Sequence, residues 1–135
     1  MAYTEVIGLF VCSALLSGLV LGCGPGPPPP PQITEQEKSM AISAIMDDPA
    51  VKDAAVTQEG RTLSLALIVG EAISEPHAKE IGERFVRLVK TFSKDTAPER
   101  QIGKGVYDYL VGVYYPGQIK VAMGAKVSIA SAITW

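Results

Sequence analysis

The first apolar block in the chain is also its longest. Positions 6–22 read VIGLFVCSALLSGLVLG, seventeen residues without Asp, Glu, Lys or Arg. No later stretch is so uniform. Beyond residue 33, apolar positions recur instead with the periods of helices and half-buried strands. Two regimes therefore divide the chain, and the join between them is GPGPPPPPQ at 24–32.

Within the second regime, Thr34-Glu35-Gln36-Glu37 has the spacing of a capping box and opens a helix over 35–46. Its apolar positions are Ala41, Ile42, Ala44, Ile45 and Met46. Asp47-Asp48-Pro49 closes it, because the residue before a proline avoids the α region. A short strand is expected over 51–57 and a turn over 58–61. A firm strand follows over 62–69, where Leu63, Leu65, Leu67 and Val69 alternate with Thr62, Ser64, Ala66 and Ile68. These two strands form a hairpin.

Ser74 caps a second helix with Glu75 and Pro76 in its first turn. Ala78, Ile81, Phe85, Leu88 and Phe92 then mark one apolar face. Positions 93–105 (SKDTAPERQIGKG) form a polar loop, long for a small domain. A strand over 106–115, a Pro116-Gly117 turn and a long strand over 118–134 complete the chain. Gly124 is expected to mark a bulge in the last strand.

The order is αββαββ. It predicts an α+β two-layer sandwich, with a four-stranded antiparallel sheet and two helices on one face. The order is similar to that of a circularly permuted ferredoxin-like plait, and to small BON-type domains of bacterial envelopes with one strand added. The plait resemblance implies that the last strand lies centrally.

Register decides what the third strand presents. Its odd positions are Tyr107, Tyr109, Val111, Val113 and Tyr115; its even ones include Asp108 and Tyr114. A two-residue turn at Pro116-Gly117 turns Asp108 inward, and a three-residue loop or bulge turns the odd face inward. A one-residue slip exchanges every side chain across a sheet. Burying an unpaired carboxylate costs several kcal/mol, so the odd face is expected inside, joined by Ile119 and Val121. The opposite outcome would leave an exposed Tyr–Val patch as a binding surface.

The leader ends in Val20-Leu21-Gly22-Cys23, which resembles the lipobox of bacterial lipoproteins. The resemblance implies cleavage after Gly22 and a diacylated Cys23 as the first mature residue. Three segments follow: 1–22 as signal peptide or membrane anchor, 23–32 as lipidated cysteine and Gly/Pro-rich linker, and 33–135 as the folded domain. Positions 1–5 (MAYTE) carry no Lys or Arg, whereas a signal usually begins with positive charge. Seventeen residues also reach the short end of a spanning helix, roughly 17–25. An uncleaved single-span anchor thus stays open. Gly24 follows Cys23, and an Asp there would have implied inner-membrane retention; the localisation expected is the cell membrane or outer membrane, with the domain outside the cytoplasm.

Composition narrows the function. The formal charge is −2, and Glu5 is the only charged residue in the first 22. Nucleic acid is not the expected partner, since such domains are strongly basic. The two cysteines, Cys12 and Cys23, both precede the domain, so it holds neither an internal disulfide nor a thiolate site. Five prolines at 27–31 favour an extended polyproline spacer of about 3.1 Å per residue.

No catalytic constellation stands out. His77, the one histidine, falls on the polar side of the second helix near Ser74 and Glu80. Asp47, Asp48 and Asp53 lack calcium-loop spacing. Gly103-Lys104-Gly105 lacks phosphate-loop spacing and precedes a strand. No cofactor and no metal are expected. Arg84, Arg87, Lys90, Lys94, Arg100 and Lys104 make one basic surface, the candidate for a partner. The expectation is a non-enzymatic binding or scaffolding domain on a lipid anchor, with an envelope protein or ligand as partner. The alternative is an anchored enzyme or small-ligand binder using the 93–105 loop.

Overall fold

The computed structural model describes residues 30–95 and 105–135. The leader, Cys23 and most of the proline run lie outside the described residues.

Helix α1 spans Glu35–Met46 and opens with the capping box: Thr34 Oγ1 accepts from the Glu37 amide at 3.1 Å, and Glu37 Oε1 from the Thr34 amide at 2.9 Å. Strand β1 (Val51–Glu59) and strand β2 (Thr62–Val69) pair antiparallel across a turn whose Gly60 has φ +60°. Helix α2 (Glu75–Phe92) starts at Ser74, whose Oγ accepts from the His77 amide. Strands β3 (Asp108–Tyr115) and β4 (Ile119–Lys126) form the second antiparallel pair. The order αββαββ is as the sequence predicts.

The sheet is mixed, which corrects the antiparallel expectation. Its strand order is β1-β2-β3-β4, and β2 runs parallel to β3, with Leu65 opposite Val111. Antiparallel neighbours need only a short turn, whereas parallel ones need a crossover, and α2 supplies it. The last strand therefore lies at an edge and not centrally. Composition agrees with this placement. The centre is taken by TLSLALIV and DYLVGVYY, while β4 (IKVAMGAK) carries two lysines, which suit an edge.

Both helices pack on the sheet and against each other. Leu63, Leu65, Leu67 and Val69 of β2 join Tyr109, Val111 and Val113 of β3 beneath Ala78, Ile81, Phe85, Val86 and Val89 of α2. Each large apolar side chain buried this way contributes about 1.5–3 kcal/mol. The stripe on α2 is wider than its predicted marks. Val86 and Val89 lie at its centre, whereas Leu88 and Phe92 are only partly buried.

The odd face of β3 is inside, but Ile119 does not join it. The three-residue loop brings Tyr115 opposite Ile119 and Tyr114 opposite Lys120. A bulge at Val121 then shifts the register, so Val113 meets Ala122, Val111 meets Gly124 and Tyr109 meets Lys126. Ala122, Gly124 and Lys126 consequently face the core, and Ile119 is 60% exposed. The second irregularity undoes the parity change of the first.

The expected long last strand is also cut short. β4 stops at Lys126, the chain turns, and Thr134 returns to exchange both backbone hydrogen bonds with Ala125, at 2.8 and 2.9 Å. This return lays Trp135 between Gly82 of α2 and Gly124 of β4. A Cβ at either glycine would lie under 3 Å from the indole ring. Gly124 thus marks the space occupied by a tryptophan, and the bulge lies three residues before it.

Candidate functional site

Four polar side chains meet where α2, β3 and β4 converge. Lys90 lies in the apolar stripe of α2, four residues after Val86, and is 3% exposed. Its ammonium donates to Asp95 Oδ2 at 3.1 Å. Tyr109 Oη donates to the same oxygen at 2.9 Å, and the Val106 amide donates to Asp95 Oδ1 at 2.6 Å. One carboxylate just beyond α2 therefore gathers the helix end, the start of β3 and the phenol between them. Charge-assisted hydrogen bonds of this kind are stronger than neutral ones.

Lys126 completes the cluster from β4. It is 1% exposed, and its ammonium lies 5.7 Å from the Tyr109 ring centroid; Lys90 lies 5.5 Å from the same ring. Its hydrogen bond goes to the Val127 carbonyl at 3.4 Å. Burial depresses the Lys126 pKa first, and the Lys90 charge adds to that, against smaller upward pulls from Asp95 and Asp108. Burial and the Asp95 charge push the Tyr109 phenol well above its usual range. Tyr109 is thus a fixed donor and packing surface at ordinary pH.

The opposite face of the sheet carries no helix among the described residues. Small side chains floor it: Ala55, Thr57, Ser64, Ala66 and Gly112. Tyr114 lies over Gly112, its ring edge and hydroxyl 2.7 Å from where a Cβ would stand, and Leu110 and Met123 stand exposed at its side. The result is an open, mainly apolar depression continuing past Ile68 to Gln118.

Of the six predicted basic residues, Arg84, Arg87, Lys90 and Lys94 lie among the described ones. Arg84 donates to Asp48 Oδ2 at 2.6 Å, tying α2 to the end of α1. The Ala50 amide first, and Arg84 after it, hold the Asp48 carboxyl below its usual range despite some burial. Arg87 lies 3.8 Å from Glu83. Lys90 is inside the protein and leaves the surface altogether. Lys94 is exposed, at φ +57°. Arg100 and Lys104 lie outside the described residues, as does most of the 93–105 loop. His77 is exposed in the first turn of α2. Asp48 and Asp53 bind neighbouring amides, Ala50 and Ala54. Among the described residues no group of three or more His, Cys, Asp or Glu could hold a metal.

Sequence reading missed Asp95 and Lys126. The spacing of Val86, Val89 and Lys90 was a signal for an inward lysine; for Lys126 the hidden bulge removed any.

A third feature is the attachment of the linker. The Pro31 carbonyl accepts from Tyr107 Oη at 2.5 Å and from Gln58 Nε2 at 3.3 Å. The Ile33 amide donates back to Gln58 Oε1 at 2.8 Å, and Ile33 itself is buried. Chain entry is therefore held against the β1–β2 turn and the start of β3. Among the described residues no helix is long and apolar enough to cross a membrane. Comparison with protein families, with curated proteins and with solved structures finds no match.

Proposed function

We propose that this chain is an envelope lipoprotein, tethered through Cys23, whose α+β domain is a non-catalytic binding or scaffolding module outside the cytoplasm. The observation that carries the reading is the join between leader and domain. An uncharged segment ends in Leu21-Gly22-Cys23, a proline run follows at once, and its last carbonyl is bonded to Tyr107 and Gln58. An anchor of two acyl chains holds a protein stably at a bilayer, since each buried CH₂ contributes about 0.8 kcal/mol.

Two features favour binding over catalysis. The titratable groups brought together at Lys90, Asp95 and Tyr109 are buried and spend their hydrogen bonds on one another and on the Val106 amide. The open apolar depression lies instead on the sheet face with Leu110, Tyr114 and Met123. Metabolic labelling with a fatty acid tests the anchor: label is expected on the wild type and none on Cys23→Ala. Label that survives Cys23→Ala contradicts it. Leu110→Asp/Met123→Asp tests the face. It should keep fold and lipid but lose any envelope protein that co-purifies with the tethered wild type; unchanged co-purification removes that face from the account.

A further inference from the structure

The linker bonds fix more than attachment. They fix which end of the domain lies nearest the anchor, and that end carries two apolar side chains in the open. Val127 is 53% exposed and Ile129 76%. They flank Ser128 in the turn after β4, a setting where polar residues are usual. The turn is held in place: the Ser128 amide donates to Asp108 Oδ1 at 2.6 Å, and the Ser128 carbonyl accepts from the Gly105 amide at 2.9 Å. Asp108 adjoins Tyr107, the residue that grips Pro31. The Asp108 amide in turn donates to Arg61, beside the β1–β2 turn that Gln58 joins to Pro31.

Chain length closes the argument. Six residues separate Cys23 from Pro30. Even fully extended, they bridge no more than about 25 Å. Held that close to an acylated Cys23, and by that end, the domain would bring the Val127–Ser128–Ile129 turn within reach of the lipid surface. Ile119 supplies the contrast. It is 60% exposed, yet it opens β4, about 23 Å of strand away from Lys126.

We infer that the turn bearing Val127 and Ile129 is a membrane-contact site, and that both side chains enter the bilayer interface while the Pro116-Gly117 end points away. Apolar side chains at an interface add to the binding that acyl chains supply. Exposed Lys94, at the α2 end beside Asp95, suits an anionic headgroup layer. The inference deepens the lipoprotein reading and rests on it.

The test uses the protein expressed with its leader, acylated in its host and placed in vesicles of phosphatidylethanolamine and phosphatidylglycerol. In a Cys12→Ser background, Ile129→Cys and Ile119→Cys each receive a nitroxide, and accessibility to oxygen and to a water-soluble nickel chelate is read by power saturation. The label at position 129 should lose nickel accessibility and gain oxygen accessibility on the vesicle. The label at position 119 should stay aqueous. Acylated Cys23 with both labels equally aqueous overturns the orientation and leaves the anchor standing. A chain whose mass shows no lipid, and which does not pellet with vesicles, overturns both.

Discussion

Tyr107 donates its phenolic hydrogen to the carbonyl of Pro31, a residue 76 positions earlier in the chain. The bond joins the start of β3 to Pro31, so chain entry is fastened to the domain at one defined corner. Tyr107→Phe removes that donor and keeps the ring. It is expected to lower the free energy of unfolding by about 0.5–1.5 kcal/mol, the net worth of a typical hydrogen bond. Urea unfolding checks this through the midpoint, with an unchanged slope. An unmoved midpoint means that the bond contributes nothing in solution.

Asp95 holds three donors at once, so its loss strands a buried ammonium. Asp95→Ala should cost about 3–5 kcal/mol, the range for removing one partner of a buried pair. Lys90→Met/Asp95→Leu, which removes both charges, should be less damaging than Asp95→Ala alone. Denaturant melts of the three proteins decide. If the double variant is the less stable, the pair is not what Asp95 holds together.

Lys126 gives the domain a pH signature. Its pKa is lowered in the folded state from an ordinary 10.5, chiefly by burial, so the unfolded chain binds the extra proton between the two values. Stability therefore rises with pH from the lowered value toward 10.5. Tyr109 works the other way. Its folded pKa is raised, so its contribution is complete below 10 and is lost above it. Lys126→Met should abolish the rise on the alkaline side of neutrality and keep the later fall. Chemical melts between pH 7 and 11 measure it; parallel profiles for wild type and variant contradict the assignment.

Gly124 and Gly82 both make room for Trp135. A Cβ at Gly124 would lie 2.6 Å from Ile133 and 2.7 Å from the indole. At Gly82 the nearest approach is 2.8 Å, to the edge of the same ring. Gly124→Ala should therefore destabilise by about 1–3 kcal/mol, as overpacking does. Gly82→Ala should cost less, because alanine regains about 1 kcal/mol of helix propensity. Combining Gly124→Ala with Trp135→Leu should recover part of the loss, measured as a coupling in thermal melts.

These residues also mark how much of the fold is written locally in the sequence. Both helices were legible, because Thr34 with Glu37 and Ser74 with Pro76 are local signals that tertiary packing left intact. The β1–β2 hairpin was legible from the alternation of Leu63 through Val69. The direction of β2 against β3 was not, since element order alone does not say whether a helix returns the chain to a neighbouring strand or past it. The face of β4 was hidden for a different reason. Ile119, Val121 and Met123 alternate as a buried face should, yet a loop and a bulge of opposite effect turn Ala122, Gly124 and Lys126 inward. Lys126 was lost with that register, whereas Lys90 turns inward on the spacing of Val86 and Val89 and meets Asp95 just past the helix. Cys23 and the leader stand on sequence alone.

The central claim is an acylated Cys23 at the head of a leash that ends on Tyr107. Intact mass spectrometry of the protein purified from its native membranes tests it directly. The account predicts a chain that begins at Cys23 and carries the added mass of acyl chains. A chain that retains Met1 and bears no lipid contradicts it.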